Sequence, residues 1–496
     1  MRLNELNTDV LLEIVKHLSA EDIICLRKTC HDLWSLSQLR AIWHSIVQSL
    51  RQSNIPLAWS RSIPIAIAAQ ETLEKVALRT SLLQSIWTGP SPASSSITQF
   101  PSSLGAASRD LFLQFTEGGE WLIVAHDTRV ECWHVASRQI LGSFAASEPV
   151  RIEAMTAKIV HQGTEMIVVL RLVPRFGGAP HSMIWTLRAA MGDSTTPFDL
   201  AVVDDERFPM NLFWGVGDPE IRGDLIVTPL QLRNEASVIY LHDWSQNRKL
   251  ILQPHSRGPY NELAFTSQKL VLFGRTESGS SSLFVEEYAI PPLADNKTFT
   301  VSSPILHVHP ESSTTFETPE SMKDWQIKIS DIVSHTSDRL SLAFFIVPIT
   351  DGSSPNIRYD YATPSLQVGR EHAPSISLSD SSAFGLPLVN GPRTVTWVFY
   401  PGSSGKRALL GQKARYGPGA KTVDRYAACS FDLDESLPHT AQRGDINNGI
   451  RRVDVGLEFL LQGATSIAFE ERLGLVAYSH KNKPEVCIAA FLPSTV

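Results

Sequence analysis

Gly402-Ser-Ser-Gly405-Lys406 places a lysine directly after a glycine turn, as a phosphate-cradling loop does. Tyr400 stands where the first glycine of such a loop belongs, and Arg407 replaces the hydroxyl residue that would hold magnesium, so a polar turn is expected instead. Gly215-Val-Gly217 starts like a dinucleotide fingerprint, but Glu220 takes the place of the third glycine. His307-Val-His309 puts two imidazoles on one face of a strand, since side chains alternate in β structure. The sequence offers no third ligand beside them, and a surface strand is the expectation. There is no Gly-x-Ser-x-Gly nucleophile elbow. Lys406, Arg407, Lys413, Arg415, Lys421 and Arg425 gather within 20 residues, opposed only by Asp424. Guanidinium groups bind carboxylate or phosphate in bidentate fashion, so this run has the chemistry of a site for an acidic or phosphorylated peptide. A solvated insertion is the alternative.

The chain that must position these residues has 496 of them, 43% hydrophobic and 19% charged, enough apolar material for a large core. Its net charge is −7, which argues against a dedicated nucleic-acid binder. Cys25, Cys30, Cys132, Cys429 and Cys487 are odd in number and lack CxxC pairs, so neither a zinc site nor a disulfide framework is expected, and no cofactor. Glu5 and Asp9 fall where a signal peptide needs an apolar run. The apolar stretch 340–349 is about half the length that spans a bilayer. A soluble intracellular protein, without membrane or nucleic-acid partners, is the expectation. The sequon at Asn296 then goes unused.

Residues 8–87 read as helical, everything after residue 97 as β, with the low-complexity stretch 88–96 between them. Val10, Leu11, Ile14 and Leu18 recur at three- and four-residue spacing, predicting a first helix from about Thr8 to Leu18. Ser19-Ala-Glu-Asp22 has the form of a capping box opening a second helix. Further short helices carry Leu33, Trp34, Leu36, Leu39, Ile42, Trp43 and Ile46. So small a segment cannot hide all these side chains, and each is worth roughly 1.5–3 kcal/mol when buried. The surplus face meets either a partner or the rest of the chain. A longer helix over 66–87 serves either as a stalk or as a helix laid flat on the β region.

The order Leu6-Asn-Thr-Asp-Val10-Leu-Leu-Glu-Ile14-Val-Lys-His-Leu18, then Glu21-Asp22-Ile-Ile-Cys-Leu26, Thr29-Cys30 and Ile42-Trp43 resembles an F-box. It departs from that pattern at Asn7 (usually Pro), at Leu33 (often Trp) and at Ile42 (usually Leu). Asn7 can still start the helix by capping its free N–H groups. The resemblance implies binding to the Skp adaptor of a cullin-RING ubiquitin ligase, with Leu6, Val10, Leu11, Ile14, Leu18, Leu26 and Trp43 as the contacts carried over. Which of them face the adaptor, and which the module's own core, stays open at this level.

After residue 97, β-branched and aromatic residues gather in short runs separated by Gly, Pro, Ser and Asp, and the runs recur as seven groups of three or four. That is the pattern of a β-propeller. Arg129-Val-Glu-Cys-Trp133-His-Val135 is similar to the third strand and turn of a WD repeat, and Ile184-Trp185-Thr-Leu187 more faintly so. Wide repeat spacing implies loop insertions. The last group lacks a fourth strand, which Ile97–Phe100 can supply. The basic run would form the long loop between the second and third strands of the sixth group.

The expected architecture is therefore α+β and multidomain: an F-box over 1–48, a helical stalk and Ser/Pro linker over 49–96, and an all-β, seven-bladed propeller over 97–496. The implied function is non-catalytic: the propeller holds a protein client while the ligase acts on it. A propeller scaffold whose F-box-like helices pack internally, and a propeller enzyme, are the rivals.

Overall fold

The computed structural model describes residues 6–52, 55–59, 65–88, 96–101, 111–116, 118–161, 164–175, 181–191, 196–209, 211–234, 236–256, 260–265, 268–276, 282–295, 305–317, 325–329, 341–348, 359–362, 375–378, 394–401, 407–415, 422–431, 450–453, 461, 463–480 and 485–492. Helix α1 (Thr8–Val15) starts as expected: the Asn7 side-chain oxygen accepts from the Asp9 N–H at 3.2 Å. It stops short of Leu18 because α2 (Ala20–Arg27) opens with the full capping box. Ser19 Oγ accepts from the Asp22 N–H, and the Asp22 carboxylate accepts from the Ser19 N–H, which satisfies two otherwise free donors. Two more helices follow, α3 (His31–Ser37) and α4 (Arg40–Gln52). After a 3-10 turn (Ile65–Ile67) comes α5 (Gln70–Thr88).

Trp43 anchors the helical core. It is fully buried, and its indole N–H donates to the Ser37 carbonyl at 2.8 Å, so the polar end of the ring costs nothing. Leu11, Val15, Ile23, Leu33 and Val47 surround it, together with Leu73, Val76 and Ala77 of α5. The first half of α5 is thus part of this core. Arg27 lies over the Trp43 ring at 5.6 Å and pairs with Glu74 of α5 at 2.6 Å, tying the helices a second time.

The β region begins with β1 (Ser96–Pro101). Sheet 1 holds β2 (Leu111–Phe115), β3 (Trp121–His126), β4 (Arg129–His134) and β5 (Gln139–Ala145). Sheet 2 holds β6 (Val150–Val160), β7 (Glu165–Pro174) and β8 (His181–Ala190); after β9 (Phe198–Asp199), which pairs with β5, it is completed by β10 (Ala201–Pro209). Sheet 3 sets β11 (Phe213–Val216) and β12 (Glu220–Arg222) on β13 (Leu225–Leu232), followed by β14 (Ser237–Asp243) and β15 (Arg248–Pro254). Sheet 4 has β16 (Tyr260–Phe265), β17 (Lys269–Arg275) and β18 (Ser282–Ala289). Two short strands, β19 (Ala294–Asp295) and β20 (Leu306–Val308), then return to β15 before β21 (Ser312–Glu317) completes sheet 4. This excursion is one of the expected insertions, and it covers part of the outer edge of sheet 3.

Sheet 5 holds β22 (Trp325–Ile329), β23 (Ser341–Pro348), β24 (Tyr359–Ala362) and β25 (Ser375–Leu378). Sheet 6 holds β26 (Thr394–Pro401), β27 (Arg407–Arg415), β28 (Thr422–Phe431) and β29 (Ile450–Val453). Sheet 7 holds β30 (Ala464–Glu470), β31 (Leu475–His480) and β32 (Glu485–Ala490), and takes β1 as its fourth strand, Thr98 opposite Ile488. First strands meet first strands: β2 lies against β30 and β6, β6 against β12, β16 against β22, and β26 against β30. Apolar seams fill the spaces between sheets 1 and 2, 2 and 3, 3 and 4, 6 and 7, and 7 and 1; Phe100 of β1 is buried in the last of these. Radially arranged antiparallel sheets with their first strands innermost make this a β-propeller.

The sequence reading of sheet 6 needs correction. Thr394–Pro401 is the innermost strand, not the second, and Arg407–Arg415 is a strand rather than a loop. The expected first run, 382–389, lies outside the described residues. Charged residues occupy both ends of β27 and leave only Leu409 and Leu410 as large apolar residues, so the alternation that marks a strand is weak there.

Charges are buried between sheets 2 and 3. The Lys249 ammonium, on β15, is 3% exposed and donates to Asp204 at 2.6 Å and to Glu206 at 2.9 Å, both on β10. His242 of β14 is also buried, its Nδ1 3.6 Å from the Asp204 carboxylate. Burial pushes the His242 imidazole down to about 4, the Asp204 charge opposing, and raises the Glu206 carboxyl above its ordinary range.

Candidate functional site

Of the seven residues carried over as adaptor contacts, two lie open. Val10 is 47% and Ile14 37% exposed, one turn apart on the outer face of α1. Leu11 and Val15 sit on the inner face and join the core. One helical stripe in the sequence is therefore two faces in the structure, because 3.6 residues per turn rotate consecutive positions by about 100°. Trp43 and Leu11 are buried and present no comparable surface, while Leu6, Leu18 and Leu26 are partly buried against the core. Two further residues share the exposure, Trp34 at 47% and Leu39 at 40%. Leu33 and Leu36 face inward on α3. That spacing already turns Trp34 outward, so the signal was in the sequence.

The six basic residues do not form one cluster. Arg407 opens β27 and is 2% exposed. Its guanidinium donates to the Glu471 carbonyl at 3.1 Å and to the side-chain oxygen of Gln84 on α5. Desolvation pushes it down to about 10, so it stays charged at neutral pH. Lys413 and Arg415 lie at the opposite end of the same strand, roughly 20–27 Å away at about 3.4 Å per residue. There Lys413 stands opposite Asp424, Gln412 opposite Arg425, and Arg415 opposite Thr422. Lys406 and Lys421 lie outside the described residues. Arg407 is thus withdrawn from solvent, whereas Lys413, Arg415 and Arg425 share the far end of one hairpin.

Those two ends define the β domain. The second half of α5 docks at the end marked by the start of β27, the β30–β31 turn and the residue after β32. Leu83 joins a core with Leu409 and Tyr426 of sheet 6 and Ile467, Val476 and Phe491 of sheet 7. A side chain on Gly474 would meet Leu83 Cδ1 at 2.6 Å, and its φ of +62° suits glycine in any case.

The reactive-looking motifs find structural duties. Gly217 donates to the Pro229 carbonyl at 2.7 Å, and a Cβ there would press on Pro229 at 3.1 Å, so the glycine serves strand packing. His255 brings the third imidazole that the sequence withheld: its ring stacks on His309 at 4.5 Å and lies 5.4 Å from His307. Stacked rings direct their lone pairs along parallel planes, not toward one point. Among the described residues no group of three ligands is placed to hold a metal, and no helix is long and apolar enough to cross a membrane. The turn at 402–406 lies outside the described residues.

Residues 3–45 match the F-box domain model. That F-box match takes in α1, α2, α3 and the start of α4. No curated protein matches the chain. Among solved structures, the WD40 domain of SCAP from fission yeast is 10% identical with a TM-score of 0.38, covering 77% of this chain and 82% of its own. The N-terminal domain of Nup159 is 10% identical with a TM-score of 0.34, covering 80% of this chain and 97% of its own. At those scores neither likeness bears on the fold, which rests on the chain's own sheets.

Proposed function

We propose that this protein is a substrate receptor of a Skp–cullin–F-box ubiquitin ligase. The F-box binds the Skp adaptor, and through it a cullin, while the propeller binds the protein client. The observation that carries this reading is the pairing of an F-box whose Val10, Ile14, Trp34 and Leu39 remain exposed with a β domain held by the same chain. Each of those side chains is already more than half covered, so burying the remainder against an adaptor would contribute roughly 0.5–1.5 kcal/mol each. Because α5 occupies one end of the propeller, the other end, with Lys413, Arg415 and Arg425, is the proposed client face, suited to an acidic or phosphorylated segment. The protein performs no chemistry of its own and works inside the cell by raising the effective concentration of client near activated ubiquitin.

Co-expression of the full chain with a Skp adaptor tests the reading. Ile14→Asp and Val10→Asp are the informative substitutions, since Leu11→Asp would break the F-box core itself. Wild type should co-purify stoichiometrically with the adaptor, and both variants should lose it while keeping their helical and β content. A folded wild-type protein that captures no adaptor would leave a propeller scaffold with an internally packed helical start.

A further inference from the structure

Helix α5 belongs to two cores at once. Leu73, Val76 and Ala77 pack with the F-box helices, and Leu83, with Leu82 and Ile86 beside it, packs on sheets 6 and 7. Its 19 residues contain neither glycine nor proline, and at about 1.5 Å per residue they make a continuous rod about 28 Å long. Polar contacts clamp both halves: Arg27 to Glu74 near one end, Arg407 to Gln84 near the other.

Apolar contact alone would hold α5 without fixing its rotation or register, because it is not directional. Hydrogen bonds are directional, and Arg407 makes them to both sides of the joint, to Gln84 on the helix and to the Glu471 carbonyl on the β30–β31 turn. A buried guanidinium is a poor source of stability compared with a leucine, but it selects one arrangement over others.

We propose that Arg407 is a positioning residue, pinning α5 to the seam between sheets 6 and 7 and so fixing the F-box at one distance and angle from the open end of the propeller. The consequence for ubiquitin transfer rests on the receptor reading: a fixed geometry limits which lysines of client or receptor reach the ligase's catalytic end.

Spin labels on the full chain at Ser35→Cys and Gln246→Cys, both exposed positions, with Cys25, Cys30 and Cys429 replaced by serine so that only the buried Cys132 and Cys487 remain, report the distance between F-box and propeller. Wild-type geometry should give one narrow distance distribution. Arg407→Met, which keeps the apolar stem but takes the cation from the buried Glu471, should lower the melting temperature and broaden the distribution at least two-fold with adaptor capture unchanged. Gln84→Ala, on the helix side, should broaden it less. It decides the matter alone if Arg407→Met fails to fold. In a reconstituted ligase, the set of receptor lysines modified by ubiquitin should widen with the same variants. An unchanged distribution in the folded variants, or a broad one in wild type, overturns the proposal. Loss of adaptor capture by wild type would instead overturn the receptor reading and leave the distance result standing.

Discussion

On α1, Val10 and Ile14 stand in water, whereas on β3 the run Leu122–Ala125 is buried on both faces of its sheet. The propeller also hides charge: Lys249, Glu286, Arg407 and Glu471 are each at most 3% exposed. In the F-box the largest buried side chain is Trp43, and the ion pair that ties it to α5, Arg27–Glu74, is only partly covered. The two regions differ in what they bury more than in what they expose: Ile97, Ile140, Val202, Val203, Leu212 and Leu306 of the β region also stand in water, but scattered over some 200 residues, whereas Val10, Ile14, Trp34 and Leu39 fall within 30. An apolar strip asks for a generic, non-directional partner; strand ends that carry charge leave recognition to charge and hydrogen bonding, which discriminate. Substitutions that act on stability in one region should act on binding in the other.

The largest expected effect is Lys249→Ala. It leaves Asp204 and Glu206 facing each other in a buried site without their shared cation, and should cost about 3–5 kcal/mol of propeller stability in urea denaturation. A loss below 1 kcal/mol would mean that water already reaches this seam. In the F-box the matching contrast is within α1. Leu11→Ala should cost about 2–5 kcal/mol, while Val10→Asp, on the outer face and in the first turn where a carboxylate suits the helix dipole, should change stability by less than about 0.5 kcal/mol and still abolish adaptor capture. Equal stability losses for the two would erase the distinction between inner and outer faces.

Much of this arrangement was legible in the sequence. The caps at Asn7 and Ser19, the order of the F-box helices, the β character after residue 97 and the closing strand at Ile97–Phe100 all follow from local spacing or unpaired strand count. Two things were not. Leu11 and Val10 are equally apolar neighbours, and only the packing of α4 and α5 says which one turns inward. Arg407 looks like its basic neighbours because nothing local records that Gln84, 323 residues earlier, will meet it. Burial of a charge is a long-range property, and composition cannot report it.

Acid should act on the propeller through His242. Its folded-state value of about 4, against an ordinary 6.5, means that between these values the unfolded chain binds a proton which the folded chain refuses. Stability therefore falls as pH falls through that window, by at most about 3 kcal/mol. The raised Glu206 carboxyl works the other way, since the folded chain holds that proton more readily as pH falls, and offsets part of the loss. Urea melts at pH 7 and pH 4.5 should show the decline in wild type and a smaller one in His242→Gln. An equal pH dependence in wild type and His242→Gln would show that the imidazole titrates alike in the folded and unfolded chains.

The smallest effect lies where the two regions meet. Gly474→Ala places an ordinary residue at a φ of +62°, which alone costs about 1–2 kcal/mol, and sets its methyl against Leu83. Leu83→Val shortens the side chain that it strikes. If α5 is seated as closely as the 2.6 Å approach requires, the double variant should lose less stability than the two single variants added together, by at least about 0.5 kcal/mol. Strict additivity would mean that the helix stands off from the β30–β31 turn. The F-box and the propeller would then be joined by polar contacts at Arg407 and not by a shared core.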